Sequence, residues 1–294
     1  MNRIPIQPGS LWTRIVDRSD AALRCGAILP IPTTAVFVEQ QSVRFLVRIV
    51  ANLERKARDR DVTGVSSPDF NPFLPYDERL YVGDITDSHV CLLNKFNVVE
   101  HHALIVTRAY ESQLAPLTLA DFQALWLGMR EFPSLGFYNA GTVAGASQHH
   151  KHLQLVPLPL WPDGESVPIA PALQADRPDA VCLCPALPFD HSFVRFVSPL
   201  RDSPRDAAHR LLDAYQAMIA PWKDRTVPYN LLVTDEWMLL VPRAREHVIG
   251  MSINALGFAG ALLVRNEGEL RSVQAEGPMN ILRRAGFERR SALA

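Results

Sequence analysis

The chain has little cysteine, no long apolar run and almost no net charge, and each shortage removes a class of protein. Four cysteines in 294 residues, Cys25, Cys91, Cys182 and Cys184, are too few for a disulfide-stapled scaffold. Cys182 and Cys184 lie close together, but no second pair completes a zinc site. No uncharged apolar stretch reaches the roughly 18 residues that a membrane helix needs. The opening MNRIPIQPGSLWTRIVDRSD has no long apolar region after its basic residue, so it does not read as a secretory signal. Cytoplasm is the expected location, with reduced thiols. Lysine plus arginine number 30 against 31 aspartate plus glutamate, a balance of −1. Such a chain has no global pull toward nucleic acid or anionic lipid, and neither is an expected partner. Any anionic ligand must be held by local groups.

What is present is an ordinary globular mixture, 48 % hydrophobic and 21 % charged. Its length suits one large domain or two intimately packed lobes. Residues 158–180 form a long proline-rich connection, the best candidate boundary. The expected division is 1–160, carrying a phosphate loop and a histidine strand, and 161–294, completing the fold. Hydrophobic spacing and capping residues predict helices over 10–22, 119–130, 203–219 and 279–285. Thr118 with Asp121 is a weak capping box, and Ser203 with Pro204 opens the third helix. Strands are expected near 42–53, 90–95, 103–107, 137–140, 193–196, 230–233 and 238–241, the last two as a hairpin. Residues 28–34 are extended or looped because of their prolines, and 258–264 fits either strand or helix. No exact repeat is visible, although two broadly similar halves, each with hairpins and one helix, are compatible with the pattern. The charged stretch 54–61 reads first as a solvated face; Lys56 is its candidate for reaching a phosphate.

The informative segment is GASQHHKHLQLVP, residues 145–157. Read as a loop feeding a strand, it places His150, His152, Gln154 and Val156 on one face and Lys151, Leu153 and Leu155 on the other. Two imidazoles and an amide in a row are costly to bury without partners. Neutral imidazole is a good nucleophile toward phosphorus near pH 7, and a phosphoramidate splits one hard displacement into two. His152 is the expected nucleophile, being nearest the strand centre. Gln154 would hold a non-bridging phosphoryl oxygen, and His150 would support the site by hydrogen bonding. Gly145, Ala146, Ser147 and Gln148 could cradle phosphate with N–H groups, a hydroxyl and an amide. His149 reads as a rim residue. His101 and His102 read as core or surface residues rather than catalytic ones. Zinc held by His149, His150 and His152 is disfavoured, since adjacent and alternating histidines cannot close a tetrahedron alone.

The run His150-Lys151-His152-Leu153-Gln154 resembles the histidine-triad superfamily, in the branch where glutamine replaces the third histidine. Asn139 with GTVAGASQHHKHLQLVP, FNVVEHHALIVTR, YNLLVTDEWMLLVPR and SINALGFAGALLV resemble the diadenosine tetraphosphate phosphorylases within it. The resemblance implies an α+β fold, HIT-like and galactose-1-phosphate uridylyltransferase-like, with mainly antiparallel sheets and packed helices. It makes His152 the residue that becomes adenylylated, with His150 and Gln154 flanking it. Ser147 and Gln148 match a phosphate-contacting pair, and Asn139 matches the upstream asparagine. It implies phosphorolysis of diadenosine tetraphosphate, or ATP adenylyl transfer in reverse, with small-molecule nucleotides and inorganic phosphate as partners. A divalent cation such as Mg2+ would arrive with the phosphates; no protein metal site and no organic cofactor are expected. Adenosine 5′-phosphosulfate as substrate (ADP sulfurylase activity) is the neighbouring alternative. Outside enzymes, the alternative is a nucleotide-binding regulatory protein. Lys151 stands where uridylyltransferases usually carry proline. Phe70, Phe73 and Phe96 are candidates to line an adenine cleft.

Overall fold

Helix α1, Leu11–Arg24, buries Leu11, Ile15, Ser19 and Ala22, a one-sided stripe three and four residues apart. Helix α2, Leu119–Met129, begins with a complete Thr118–Asp121 capping box and buries Phe122, Leu125, Trp126 and Met129. Helix α3, Pro204–Ile219, is capped by Ser203, whose hydroxyl accepts from the Asp206 N–H. All three lie on one face of a mostly antiparallel sheet in a computed structural model that describes residues 5–50, 70–175, 177–200, 203–222 and 227–289.

That sheet holds β3 (Tyr81–Asp84), β4 (His89–Leu93), β5 (Ala103–Thr107), β6 (Ser134–Asn139), β7 (His152–Pro157), β8 (Ser192–Arg195), β9 (Tyr229–Val233) and β10 (Trp237–Pro242). Their spatial order is β3-β4-β5-β7-β6-β9-β10-β8. Strands from both sides of residue 160 therefore share one sheet. Two further strands, β1 (Thr33–Gln40) and β2 (Val43–Val50), pair antiparallel, and β2 pairs parallel with β13 (Ala261–Val264). A small pair, β11 (His247–Val248) with β12 (Met251–Ser252), precedes the short helix α4, Ala255–Phe258. Helices α5 (Glu267–Glu276) and α6 (Pro278–Ala285) complete the chain.

The register exposes an internal duplication. Phe137 of β6 pairs with Leu232 of β9 at the sheet centre. Outward from that pair the partners match: β7 with β10, then β5 with β8. The chain order β5-α2-β6-β7 recurs as β8-α3-β9-β10. The two halves thus share more than a general likeness. Gln154 pairs with Leu104 and Phe137, as Leu239 pairs with Phe193 and Leu232. On this map HLQLVP of β7 corresponds to WMLLVP of β10. Only the first copy carries histidine and glutamine; Trp237 and Leu239 stand in the second.

The faces explain the alternation. Leu153 and Leu155 join the core under α1, α2 and α3. On the opposite face, Val156, Phe137 and Leu135 pack with β2, β13, α4, α5 and α6. A separate apolar cluster on Phe73, Tyr81, Val90, Leu92, Leu104 and Val106 adjoins them. His152 and Gln154 occupy the polar strip between these two clusters.

Several elements depart from expectation. Strand β1 follows directly on Pro30 and Pro32, whose segment was expected to be only extended or looped. Strand β3 and helix α5 carried no strong periodicity. The 258–264 segment is split: α4 ends at Phe258 and β13 begins at Ala261. Gly260 makes the turn between them with φ +88°, and a Cβ there would meet the Pro168 Cβ at 2.8 Å. Among the described residues, no helix is long and apolar enough to cross a membrane.

Candidate active site

His152 opens β7 and is 4 % exposed. Its Nδ1 lies 2.8 Å from the His150 carbonyl. A carbonyl can only accept, so Nδ1 carries the proton and Nε2 keeps its lone pair. The described residues give Nε2 no hydrogen-bond partner. Burial pushes the imidazole pKa down to about 4, against the opposing pull of the His150 carbonyl. The ring is therefore neutral near pH 7, with its free nitrogen in the polar strip.

The side chain of His150 is not aimed into the same space. Strand β7 starts two residues later, and His150 forms only an isolated bridge with Ser112. The Phe73 N–H fixes Asn71 Oδ1 at 3.0 Å, which turns the Asn71 NH2 toward His150 Nδ1 at 3.1 Å. His150 Nε2 then donates to the carbonyls of Thr107 at 2.8 Å and Ala109 at 3.1 Å. Burial lowers its pKa too. Both ring nitrogens are engaged, and His150 meets His152 through its backbone oxygen.

Gln154 is oriented by a similar chain. The Phe96 N–H donates to Asn94 Oδ1 at 3.1 Å, so the Asn94 NH2 faces His102 Nδ1 at 3.1 Å. His102 Nε2 then bears the proton and donates to Gln154 Oε1 at 2.9 Å. Burial, more than the opposing bond to Gln154, takes the His102 pKa to about 4. With Oε1 occupied, the Gln154 NH2 is the end left to donate to an anion. His102, read from sequence as a core or surface residue, is buried and sets this orientation. Its signal was alternation: His102, Leu104 and Val106 share the face that adjoins Gln154 once β5 and β7 pair.

Asn139 ends β6. Its Oδ1 accepts from Asn230 Nδ2 at 2.7 Å and from the Ala255 N–H at 3.0 Å. The buried Arg243 holds Asn230 Oδ1 at 2.6 Å and the Ile253 carbonyl at 2.7 Å. The second half of the chain thus braces the first, leaving the Asn139 NH2 without a partner among the described residues. Asn230 and Arg243 had no sequence signal, because their role depends on β6–β9 pairing.

The loop before the histidines is a 3-10 turn over Thr142–Ala144. Gly145 and Ala146 return their N–H groups to Thr142 and Gly141 at 2.8 and 3.1 Å. They shape the loop rather than offer these donors to phosphate, which corrects that part of the expected cradle. Gly145 has φ +86°, and a Cβ there would meet the Asn254 Cβ at 2.7 Å. Donors without partners begin at Ser147 and Gln148, whose side chains and N–H groups bond to no described residue. Ser147 and His149 are exposed.

Behind the strand, Lys151 is fully buried and bonds to Glu111 at 2.7 Å, Asp121 at 3.2 Å and the Pro116 carbonyl at 3.2 Å. Asp121 also takes His89 Nε2 at 3.1 Å. Burial alone would raise the Asp121 carboxyl, but His89, Thr118 and Lys151 together hold it below its usual range. This network pins the histidine strand to the start of α2.

Of the aromatic candidates, Phe73 packs against the rings of His150 and His152, with centroids 5.7 and 5.3 Å away. Phe70 is exposed nearby in sequence. Phe96 is exposed beyond the Leu93–Ala103 end of the β4–β5 hairpin, on the Gln154 side of the site, whereas His152 pairs at Val106. Lys56 lies outside the described residues. Among the described residues, no three His, Cys, Asp or Glu are placed to hold a metal ion.

The mostly antiparallel sheet with packed helices makes the molecule an α+β protein, with a neutral histidine held through Nδ1 and a glutamine beside it. Residues 1–175 match the Ap4A phosphorylase N-terminal domain, and residues 185–288 match the ATP adenylyltransferase C-terminal domain. The first match covers more than half of the chain, which belongs to the Ap4A phosphorylase family. Diadenosine 5′,5‴-P1,P4-tetraphosphate phosphorylase 2 of Saccharomyces cerevisiae is 28% identical over 235 residues, 69% of this chain and 71% of the relative. Protein APA1 of the same yeast is 26% identical over 314 aligned positions, 95% of each chain. The crystal structure of yeast Ap4A phosphorylase Apa2 in complex with AMP matches with a TM-score of 0.79 at 23% identity, over 98% of this chain and 100% of that one. Its complex with Ap4A matches with 0.79 at 22% identity, over 96% and 98%. These structural likenesses speak to the fold.

Proposed function

We propose that this protein is an adenylyl-transferring enzyme that phosphorolyses diadenosine 5′,5‴-P1,P4-tetraphosphate to ADP and ATP through an adenylyl-His152 intermediate. The observation that carries the reading is the state of His152: Nδ1 donates to the His150 carbonyl at 2.8 Å, and Nε2 is free. The Nε2 lone pair attacks the α-phosphorus, the bond to the bridging oxygen breaks, and ATP leaves. As the P–N bond forms, positive charge on the ring is stabilised at Nδ1–H by the His150 carbonyl. The Gln154 NH2, Ser147 and Gln148 supply donors for the non-bridging oxygens. An oxygen of inorganic phosphate then attacks the same phosphorus, the P–N bond breaks, and ADP departs. In the reverse sequence His152 takes the AMP unit from ADP with release of phosphate, and ATP then accepts it. Glutamine at 154 cannot titrate, which favours an acceptor that brings its own anionic oxygen over the activation of water.

Names of relatives support the substrate: a phosphorylase of diadenosine tetraphosphate and the Apa2 complexes with AMP and Ap4A. A divalent cation would enter with the polyphosphate and neutralise it. The donors around His152 are amides, hydroxyl and imidazole, whereas the nearby carboxylates of Glu111 and Asp121 are bound to Lys151. The chain thus fits a cation carried by the ligand, not one caged by protein. None of its four cysteines forms a disulfide, in keeping with work in the cytoplasm. The test is product analysis with phosphate present. Equimolar ADP and ATP from diadenosine tetraphosphate are expected; AMP with ATP would mean hydrolysis and overturn the transferase reading. Adenosine 5′-phosphosulfate in a parallel arm measures the sulfurylase alternative.

A further inference from the structure

The duplicated halves differ most where the nucleophile sits. In the second half, β9 and β10 stay paired up to Val233 and Met238. The hairpin then closes with the Thr234 N–H donating to the Trp237 carbonyl at 2.9 Å. Asn139 and His152 hold the matching places in the first half. There β6 and β7 separate after Phe137 and Gln154, one pair sooner, and β6 continues along β9 alone. Twelve residues, 140–151, replace the two residues 235–236 of the closed hairpin.

The gap is filled by one side chain. Gln113 comes from the loop between β5 and α2 and is 2 % exposed. Its Oε1 accepts from the His152 N–H at 2.8 Å. Its Nε2 donates to the Asn139 carbonyl at 2.8 Å and to the His152 carbonyl at 3.3 Å. The amide therefore copies the peptide edge that a neighbouring strand would present, while holding the two strands apart. Gln113 is itself fixed: its N–H donates to the His149 carbonyl at 2.8 Å, and its carbonyl accepts from the Tyr138 hydroxyl at 2.5 Å.

We propose that Gln113 is a positioning residue for adenylyl transfer, a wedge that keeps the β6–β7 hairpin open and fixes the His152 backbone relative to Asn139. Resting on His152 as the nucleophile, it explains how one hairpin of a duplicated pair acquires room for a phosphate beside its first residue while the other stays closed. Gln113→Met keeps the length and removes every hydrogen bond. Gln113→Glu keeps the acceptor but directs a carboxylate at two carbonyls; protonation of the introduced carboxyl restores a donor.

The experiment is rapid-quench adenylylation by diadenosine tetraphosphate without phosphate, recording burst amplitude and rate constant separately. Wild type that shows no label on His152 defeats the underlying reading, and this inference with it. With wild type labelled, Gln113→Met should keep most of its amplitude and lose at least tenfold in rate constant. An unchanged rate constant, at any amplitude, would show that Gln113 merely stabilises the fold and would overturn the inference. If Gln113→Met does not fold, Gln113→Glu decides. Its rate relative to wild type should rise as pH falls from 8 toward 5.5; a flat ratio would overturn it.

Discussion

Replacing His102 by glutamine should make the protein less sensitive to acid, because His102 is neutral when folded and protonated when unfolded. Its folded pKa is about 4, lowered chiefly by burial, against roughly 6.5 in an unfolded chain. A depressed folded value means that the unfolded chain takes up the proton first. The stability contribution is complete above pH 6.5 and is lost as pH falls toward 4. At pH 5 the unfolded imidazole is protonated by about 30 to 1, and the folded one by about 1 to 10. The difference is about 2 kcal/mol. His152 has the same pKa of about 4 and contributes a similar loss. Together they remove about 4 kcal/mol from a stability that is typically 5–15 kcal/mol. The His102→Gln variant keeps a donor near Nε2 for Gln154 and removes one titrating group. Urea unfolding at pH 7 and pH 5 measures both proteins. Wild type should lose about 2 kcal/mol more than the variant between these pH values. Equal losses would show that His102 is not held neutral by the fold.

Two other substitutions separate chemistry from scaffold. Gln154→Glu removes the free NH2 and turns a carboxylate toward the phosphoryl oxygens, so adenylyl transfer should fall about 10²- to 10³-fold in a single-turnover assay; a near-normal rate would remove Gln154 from oxyanion stabilisation. Lys151→Met leaves Glu111 and Asp121 without their shared cation and should cost about 3 kcal/mol in urea unfolding, with AMP affinity of the folded protein retained. A loss below about 1 kcal/mol would show that the buried network does not anchor the strand.

The sequence was most legible where one face of an element decides its burial. Thr118 with Asp121, Ser203 with Pro204, and the apolar runs of β4, β5, β9 and β10 carry local signals, and these elements form nearly where expected. The alternation of His150 to Val156 correctly put His152 and Gln154 opposite Leu153 and Leu155. It could not reveal that His150 lies before the strand and acts through its carbonyl. The site residues that the sequence did not place are those brought in by contacts between segments far apart in the chain. Asn71 reaches His150 across 79 positions, His102 reaches Gln154 across 52, and Asn230 reaches Asn139 across 91. Gln113 is legible only after the two halves are compared, because its partner is a missing strand edge. The duplication showed in the sequence only as two broadly similar halves, because strand pairing preserves apolar character while the second copy replaces histidine by Trp237 and glutamine by Leu239.

The proposed adenylyl transfer at this site runs through a covalent bond between Nε2 of His152 and phosphorus. The intact mass of the protein after incubation with diadenosine tetraphosphate, without phosphate, reads that bond. The expected result is an acid-labile gain of about 329 Da, one adenylyl group, that is absent in His152→Ala and discharged as ADP when phosphate is added. Consumption of the substrate at full rate by His152→Ala, or an adduct on another residue, would contradict the account.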